Sequence, residues 1–256
     1  AGSSLMSKLC NCFVKDALNL VGLNQVEKAI VVPSCTGMTL SLVLQYVRSV
    51  RVMNMNSSNQ PSNRQPKIVI WPRIDQKTCL KCIYTTGLEP HVVELRRTSP
   101  TTTTTTTNKA TANVKDKNET QEKNNEQEQE HEQHDLLLRV HPEDVAAAIE
   151  SVGKENIVCV LSTTSCFAPR LPDDPLQLAR VCEKYQLPLV VNNAYGIQSP
   201  YINKRLNAAF QECGKKIMIA SVQSCDKNFL VPVGGAVLAS NSAEFVDKVA
   251  ALYAGR

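Results

Sequence analysis

The chain has 256 residues, enough for a sizeable core as one large domain or two small ones, with 43% hydrophobic and 20% charged residues. A net charge of +4 neither demands nor excludes a nucleic-acid partner, while 5% aromatic residues argue against a surface that stacks many bases. No apolar run is long enough to cross a bilayer and no secretory signal opens the sequence, so a cytosolic protein without membrane contact is expected.

Helix and strand patterns then alternate. Apolar spacing predicts a helix over residues 5–23, with Gly22 as its stop, and a short strand at 29–33. Thr36 and Gly37 open a second helix that runs through Leu40, Leu44 and Val47, and residues 54–66, rich in Asn, Ser and Gln, read as a loop. A buried strand at 67–71, a helix at 75–86 and a strand at 91–95 follow. Residues 97–134 break the pattern, with threonine throughout 101–107 and then mostly Lys, Asn, Gln and Glu. Such a segment lacks the apolar content to offset the entropy of ordering, so it reads as a disordered insertion without chemistry; a transient charged helix at 119–132 is the alternative. His131 and His134 lie in it and are discounted as metal ligands. Beyond it come a helix at 145–152, strands at 157–161 and 187–191 around a helix at 175–185, and a helix at 201–211. Strands at 216–220 and 235–238 and a helix at 242–253 complete the chain. Continuous apolar strands separated by helices predict an α/β fold: a mostly parallel sheet with helices on both faces, and ligands beyond the carboxyl ends of the strands.

Ten cysteines is a high count. Cys79 and Cys82 form a lone C-x-x-C without the second pair or the histidines of a zinc site, which leaves a redox pair at a helix start as the functional option. Most of the others sit in apolar contexts, as Cys159 and Cys182 do, and read as reduced, buried small hydrophobes rather than a disulfide framework.

The strongest chemical signal is Lys227, set between polar residues and the apolar, glycine-punctuated run that ends at Leu238. Partial burial there would disfavour the ammonium and free the amine for a Schiff base, with Ser224 within reach of a cofactor phosphate; the alternative is a strand-end lysine snorkelling to water. Four other strand ends carry small or polar residues. In Pro33-Ser34-Cys35-Thr36-Gly37-Met38, Gly37 allows close backbone approach and the helix N-terminus favours a phosphate. Trp71-Pro72-Arg73-Ile74-Asp75-Gln76-Lys77 is dense in polar groups, and Asp75 is also expected to cap the next helix. Ser162 to Arg170 forms a hydroxyl-rich loop. In Val191-Asn192-Asn193-Ala194-Tyr195-Gly196 an amide can bond a ring nitrogen and Ala194 is small enough to lie under a ring; turn formation by the two Asn side chains is the alternative.

Taken with Asp226-Lys227-Asn228-Phe229, these blocks, in this order, resemble the O-phosphoseryl-tRNA(Sec) selenium transferase family, fold-type I enzymes dependent on pyridoxal 5'-phosphate (PLP). The resemblance implies one PLP-binding large domain over 1–256, interrupted at about 97–134. It implies Lys227 as the Schiff-base lysine, Thr36 and Gly37 at the cofactor phosphate with Ser224 as a helper, Gln76 against the ring and Asn192 at the pyridine nitrogen. A neutral amide there makes the ring a weaker electron sink than a carboxylate would. Arg256 matches a family arginine for the phosphate of the substrate. The implied reaction removes phosphate from phosphoserine on tRNA(Sec) by β-elimination, with Lys227 taking the α-proton, and adds selenium from selenophosphate. A homotetramer is implied for the full-length protein. Both ends read as cuts that leave out the family's N-terminal and C-terminal regions, so activity of the fragment alone is not expected. Basic residues Lys204, Arg205, Lys215 and Lys216 are candidates for tRNA contact, though an ordinary solvated helix end is the preferred reading. Two rivals remain: another fold-type I enzyme, either a decarboxylase or a cysteine desulfurase using Cys166, and a truncated non-catalytic copy serving as an interaction module.

Overall fold

Nine short strands and eight helices follow one another along residues 2–57, 65–97, 137–164, 169–232 and 234–253, which are those that the computed structural model describes. All but the first residue of the low-complexity insertion, together with Cys166 and Arg256, lies outside the described residues. The strands are β1 (Lys28–Val32), β2 (Ile68–Pro72), β3 (Glu89–Val93), β4 (Arg96–Arg97), β5 (Leu138–Arg139), β6 (Ile157–Thr163), β7 (Leu189–Asn192), β8 (Ile219–Ser224) and β9 (Ala236–Ser240). The helices are α1 (Gly2–Leu20), α2 (Thr36–Ser57), α3 (Lys77–Thr85), α4 (Pro142–Val152), α5 (Pro175–Tyr185), α6 (Pro200–Cys213), α7 (Cys225–Asn228) and α8 (Ala243–Leu252).

Seven strands form one sheet in the order β1-β9-β8-β7-β6-β2-β3. The pairs from β8 to β3 are parallel, and β9 is antiparallel to both its neighbours. Strand β1 therefore points the same way as β8, and the carboxyl ends of six strands share one edge. The strands β6 and β7 are buried at every residue, as an apolar run covered on both faces requires. One face packs Leu178, Cys182, Leu206 and Phe210 of α5 and α6 against Val160, Val191 and Ile219, and the other packs Leu40, Leu44, Ile83 and Val246 of α2, α3 and α8 against Val158, Leu161 and Val190. Each fully buried Leu, Ile or Phe contributes about 1.5–3 kcal/mol. None of the described helices is long and apolar enough to cross a membrane.

Local chemistry sets the helix ends. Asp174 caps α5 by accepting from the Leu176 and Gln177 amides at 3.0 and 3.3 Å, with Pro175 in the first turn. Helix α1 stops as expected at Gly22, whose φ of 95° suits glycine, with the Leu23 amide bonded back to Leu18 at 2.8 Å. Three expectations shift. Helix α2 runs through to Ser57, so the Asn-rich stretch begins as helix. The strand expected at 216–220 is β8, starting three residues later, because Lys216 and Ile217 still bond back to Cys213 at the end of α6. Asp75 pairs with Arg73 at 3.7 Å, and Gln76 stands at the start of α3 without a side-chain cap.

Candidate functional site

A cleft of about 530 Å³ opens at the shared carboxyl edge of the sheet. It is lined by the β1–α2 loop and first turn of α2, by Gln76 and one face of α3, by Asn192 and Ala194 after β7, and by Ser224, Asp226 and Lys227. Gly234 and Gly235, both with positive φ, turn the chain back into β9 at the same edge. Six residues singled out from the sequence meet here: Thr36, Gly37, Gln76, Asn192, Ser224 and Lys227. Arg256 lies outside the described residues.

Lys227 does not sit at the end of a strand. Ser224 closes β8, and the lysine follows on the single turn α7. Its side chain is 29% exposed, and Nζ lies 3.0 Å from Asp226 Oδ2, 3.3 Å from Ser224 Oγ and 5.4 Å from the centre of the Tyr195 ring. Asp226 also accepts a hydrogen bond from Ser224 Oγ. That bond first, and Lys227 second, hold the Asp226 carboxyl below its ordinary value. This carboxylate was part of the sequence block around the lysine, yet nothing in its residue type distinguished it from a solvated charge.

Asn192 is fully buried. Its Nδ2 donates to Gln76 Oε1 at 3.3 Å and to Cys79 Sγ at 3.2 Å, while its Oδ1 has no hydrogen-bond partner among the described residues. Neither Asn192 nor Asn193 uses its side chain to close a turn on its own backbone; Asn193 Oδ1 accepts from Thr164 Oγ1 instead. Cys79 supports the amide from below and contacts Thr163 Oγ1 at 3.4 Å. Burial pushes the Cys79 and Cys82 thiols up, and the Cys82 thiol donates to the Cys79 carbonyl at 3.0 Å, so the pair is inert and not a redox centre; of the two, Cys82 lines the cleft.

The described part of the hydroxyl-rich loop stays out of the cleft. Arg170 is buried as a strut, donating to the Arg73 carbonyl at 2.7 Å, to the Leu171 carbonyl at 2.8 Å and to Asp173 Oδ1 at 2.7 Å. Asp173 in turn accepts from the Thr163 amide at 2.7 Å, which ties the ends of β2 and β6 together. Of the four basic residues weighed for tRNA, Arg205 is committed to Asp174 at 2.6 Å and Lys216 to Glu183. Lys216 thus fits the ordinary solvated reading, whereas Arg205 lies within α6, half-buried in its ion pair, and not at a solvated helix end.

The chain matches the family model described as O-phosphoseryl-tRNA(Sec) selenium transferase over residues 1–126 and 128–256. It is 40% identical over 296 aligned residues to the O-phosphoseryl-tRNA(Sec) selenium transferase of Leishmania donovani, covering all of this chain and 49% of that protein. The crystal structure of an archaeal O-phosphoseryl-tRNA(Sec) selenium transferase superposes with a TM-score of 0.70 at 29% identity, covering 100% of this chain and 46% of that one. The structure of Oryza sativa TDC with PLP and tryptamine superposes with a TM-score of 0.61 over 95% of this chain and 43% of that one; at 11% identity it shares the fold alone. The architecture is thus the mostly parallel α/β large domain of fold-type I enzymes. The chain spans about half the length of the curated relatives it matches. With the family model covering all but one residue, the chain belongs to the O-phosphoseryl-tRNA(Sec) selenium transferase family.

Proposed function

We propose that the cleft binds PLP through Lys227 and that the protein uses it to convert O-phosphoseryl-tRNA(Sec) into selenocysteinyl-tRNA(Sec), with selenophosphate as selenium donor. The observation that carries this reading is the convergence of Asn192, at the end of β7, and Lys227, on the turn after the neighbouring parallel strand β8, with the N-terminus of α2 in one cleft. The residues fit the cofactor. A buried amide oxygen without a partner at Asn192 suits a ring nitrogen that carries a proton. The first turn of α2, a 22-residue helix, offers free N–H groups to a phosphate, and Gly37 lets that turn sit close to α3, since a Cβ there would stand 3.1 Å from Thr78 Cγ2. Ala194, buried and small, leaves room for a flat ring.

When bound, PLP supplies the electron sink for loss of the α-proton and departure of phosphate. Lys227 is the residue that would hold the cofactor covalently and, once free of it, take the α-proton at Nζ. Thr36 and Gly37 would hold the phosphate, with Ser224 assisting, and Gln76 would lie against the ring and steady the Asn192 amide to which it is bonded. Asn192, being neutral, holds a ring proton less firmly than a carboxylate, which suffices where phosphate is the leaving group. Arg256 would bind the phosphate of the substrate. The proposal extends to one PLP-binding domain over 1–256, interrupted at 97–134, to a cytoplasmic homotetramer, and to tRNA(Sec) as partner. A desulfurase or decarboxylase reading draws support from the fold likeness alone.

The test is phosphate release from O-phosphoseryl-tRNA(Sec) by the natural protein that carries this chain, with and without PLP. Release should require both the cofactor and Lys227. Release that persists undiminished in Lys227→Ala would overturn the reading.

A further inference from the structure

We infer that Asn228 and Gln198, neither of which lines the cleft, are the positioning residues of Lys227, locking it in register with Asn192; the inference rests on the PLP reading of the cleft. Helix α7 is a single turn of four residues, too short to hold its own shape. On its β9 side the turn is held at its ends, by the Cys225 amide bonding the Gly235 carbonyl at 3.1 Å and by Phe229 packing on the core; beyond it Leu230 is 99% exposed with φ of 55°, and two glycines of positive φ precede β9. Lys227 itself, in the middle of the turn, is restrained from the β7 side. Asn228 Nδ2 donates to the Ala194 carbonyl at 2.7 Å and to the Ser224 carbonyl at 2.7 Å, so one amide group joins the segment after Asn192 to the start of the lysine turn. Gln198 Nε2 donates to the carbonyl of Lys227 itself at 2.7 Å and to Asn228 Oδ1 at 3.3 Å. The direct backbone link between the two segments, from the Ser224 amide to the Ala194 carbonyl, is long at 3.4 Å. The two amide side chains therefore form a bracket between the residue that would read the ring nitrogen and the one that would bond the aldehyde carbon. Covalent capture needs both anchors at a fixed separation, whereas non-covalent binding of the ring and phosphate needs only Asn192 and the N-terminus of α2.

That difference gives the test. In the chain mixed with PLP, the Lys227 amine and the aldehyde carbon condense to a C=N bond with loss of one water. Borohydride then adds hydride to the carbon while the nitrogen takes a proton from water, and the product is counted by peptide mass. The companion measurement is the Kd of pyridoxine 5'-phosphate, which has an alcohol in place of the aldehyde and cannot bond the lysine. Asn228→Ala should slow capture about tenfold, and Gln198→Ala, at an exposed side chain, about threefold to fivefold, with the Kd of pyridoxine 5'-phosphate changed less than about twofold in either. Equal capture rates in both variants overturn the bracket. A parallel loss of capture and of pyridoxine 5'-phosphate binding also overturns it, because that is the signature of a general structural role. If the unsubstituted chain binds the alcohol but forms no adduct on Lys227, the lysine assignment fails. If it does neither, the PLP reading fails and the bracket with it.

Discussion

Gly196→Ala measures how tightly the turn behind the cofactor cleft is built. Gly196 opens a short 3-10 turn after β7 and is buried. A Cβ on it would overlap Asn193 Oδ1 and stand 2.7 Å from both Asn193 Cγ and Thr164 Oγ1. Asn193 is fully buried and cannot swing to solvent, so its side chain must shift and give up the hydrogen bond from Thr164. Overpacking of this kind costs about 1–3 kcal/mol, and a buried polar pair left unsatisfied costs about 1–3 kcal/mol more. The sum, about 2–6 kcal/mol, corresponds to a fall in Tm of about 4–24 °C for a chain of this size. Unfolding is followed through Trp71, the one tryptophan, buried in β2. Thr164→Val should lose about 1–2 kcal/mol alone, and the double variant should lose less than the sum, because the alanine has already broken the bond. A Gly196→Ala chain within about 0.5 kcal/mol of the unsubstituted one, or strict additivity with Thr164→Val, would refute this account of the turn.

Arg170→Met should destabilise by about 3–5 kcal/mol in urea unfolding, since it leaves the fully buried Asp173 without its cation, and Arg170→Met with Asp173→Asn should cost less than the single change. A surface-sized effect in the single variant would remove the strut. Thiol reagents should label Cys10, Cys12 and Cys35 in the native chain, whereas Cys79, Cys82, Cys159 and Cys182 should react only on unfolding, with Cys213 pushed up to about 11, chiefly by burial. Peptide mapping after a short exposure checks that order. The carboxyls of Asp226, bonded by Ser224, and Glu143, at the start of α4 and bonded by its own amide, are held below their ordinary values of 3.8 and 4.5. A depressed folded value contributes stability that is present above the ordinary value and lost as pH falls through the folded one. Stability should therefore decline from about pH 4.5 downward, and Asp226→Asn should flatten part of that slope in unfolding curves taken between about pH 6 and about pH 3.

The helices and strands were legible where one local rule dominated. Helix α5 begins and ends where its proline and its apolar spacing place it, and β6 reads as a buried parallel strand from its unbroken apolar run. The cleft was legible because its residues cluster directly after strands, and parallel topology brings every such position to one edge. What failed was set by contacts distant in sequence. The pair β4–β5 joins two dipeptides, Arg96-Arg97 and Leu138-Arg139, across the insertion and is too short to have a period to detect. The end of α2 runs past the first asparagines, because helix propensity is a weak prior and extending a helix already formed upstream costs little. Arg170 read only as the end of a hydroxyl-rich loop, and the approach of Asp173 and the Arg73 carbonyl makes it a strut. The partner of Lys227 was its own neighbour Asp226, whose role depends on the turn of α7 that folds the carboxylate back onto Nζ.

The central claim is that Lys227 is the residue through which this cleft holds PLP. Borohydride reduction of the PLP-treated chain, followed by peptide mapping, addresses it directly. The account predicts a single reduced adduct on the peptide containing Lys227, absent from Lys227→Ala. An adduct of equal yield spread over exposed lysines such as Lys81, or one that survives Lys227→Ala, would contradict it.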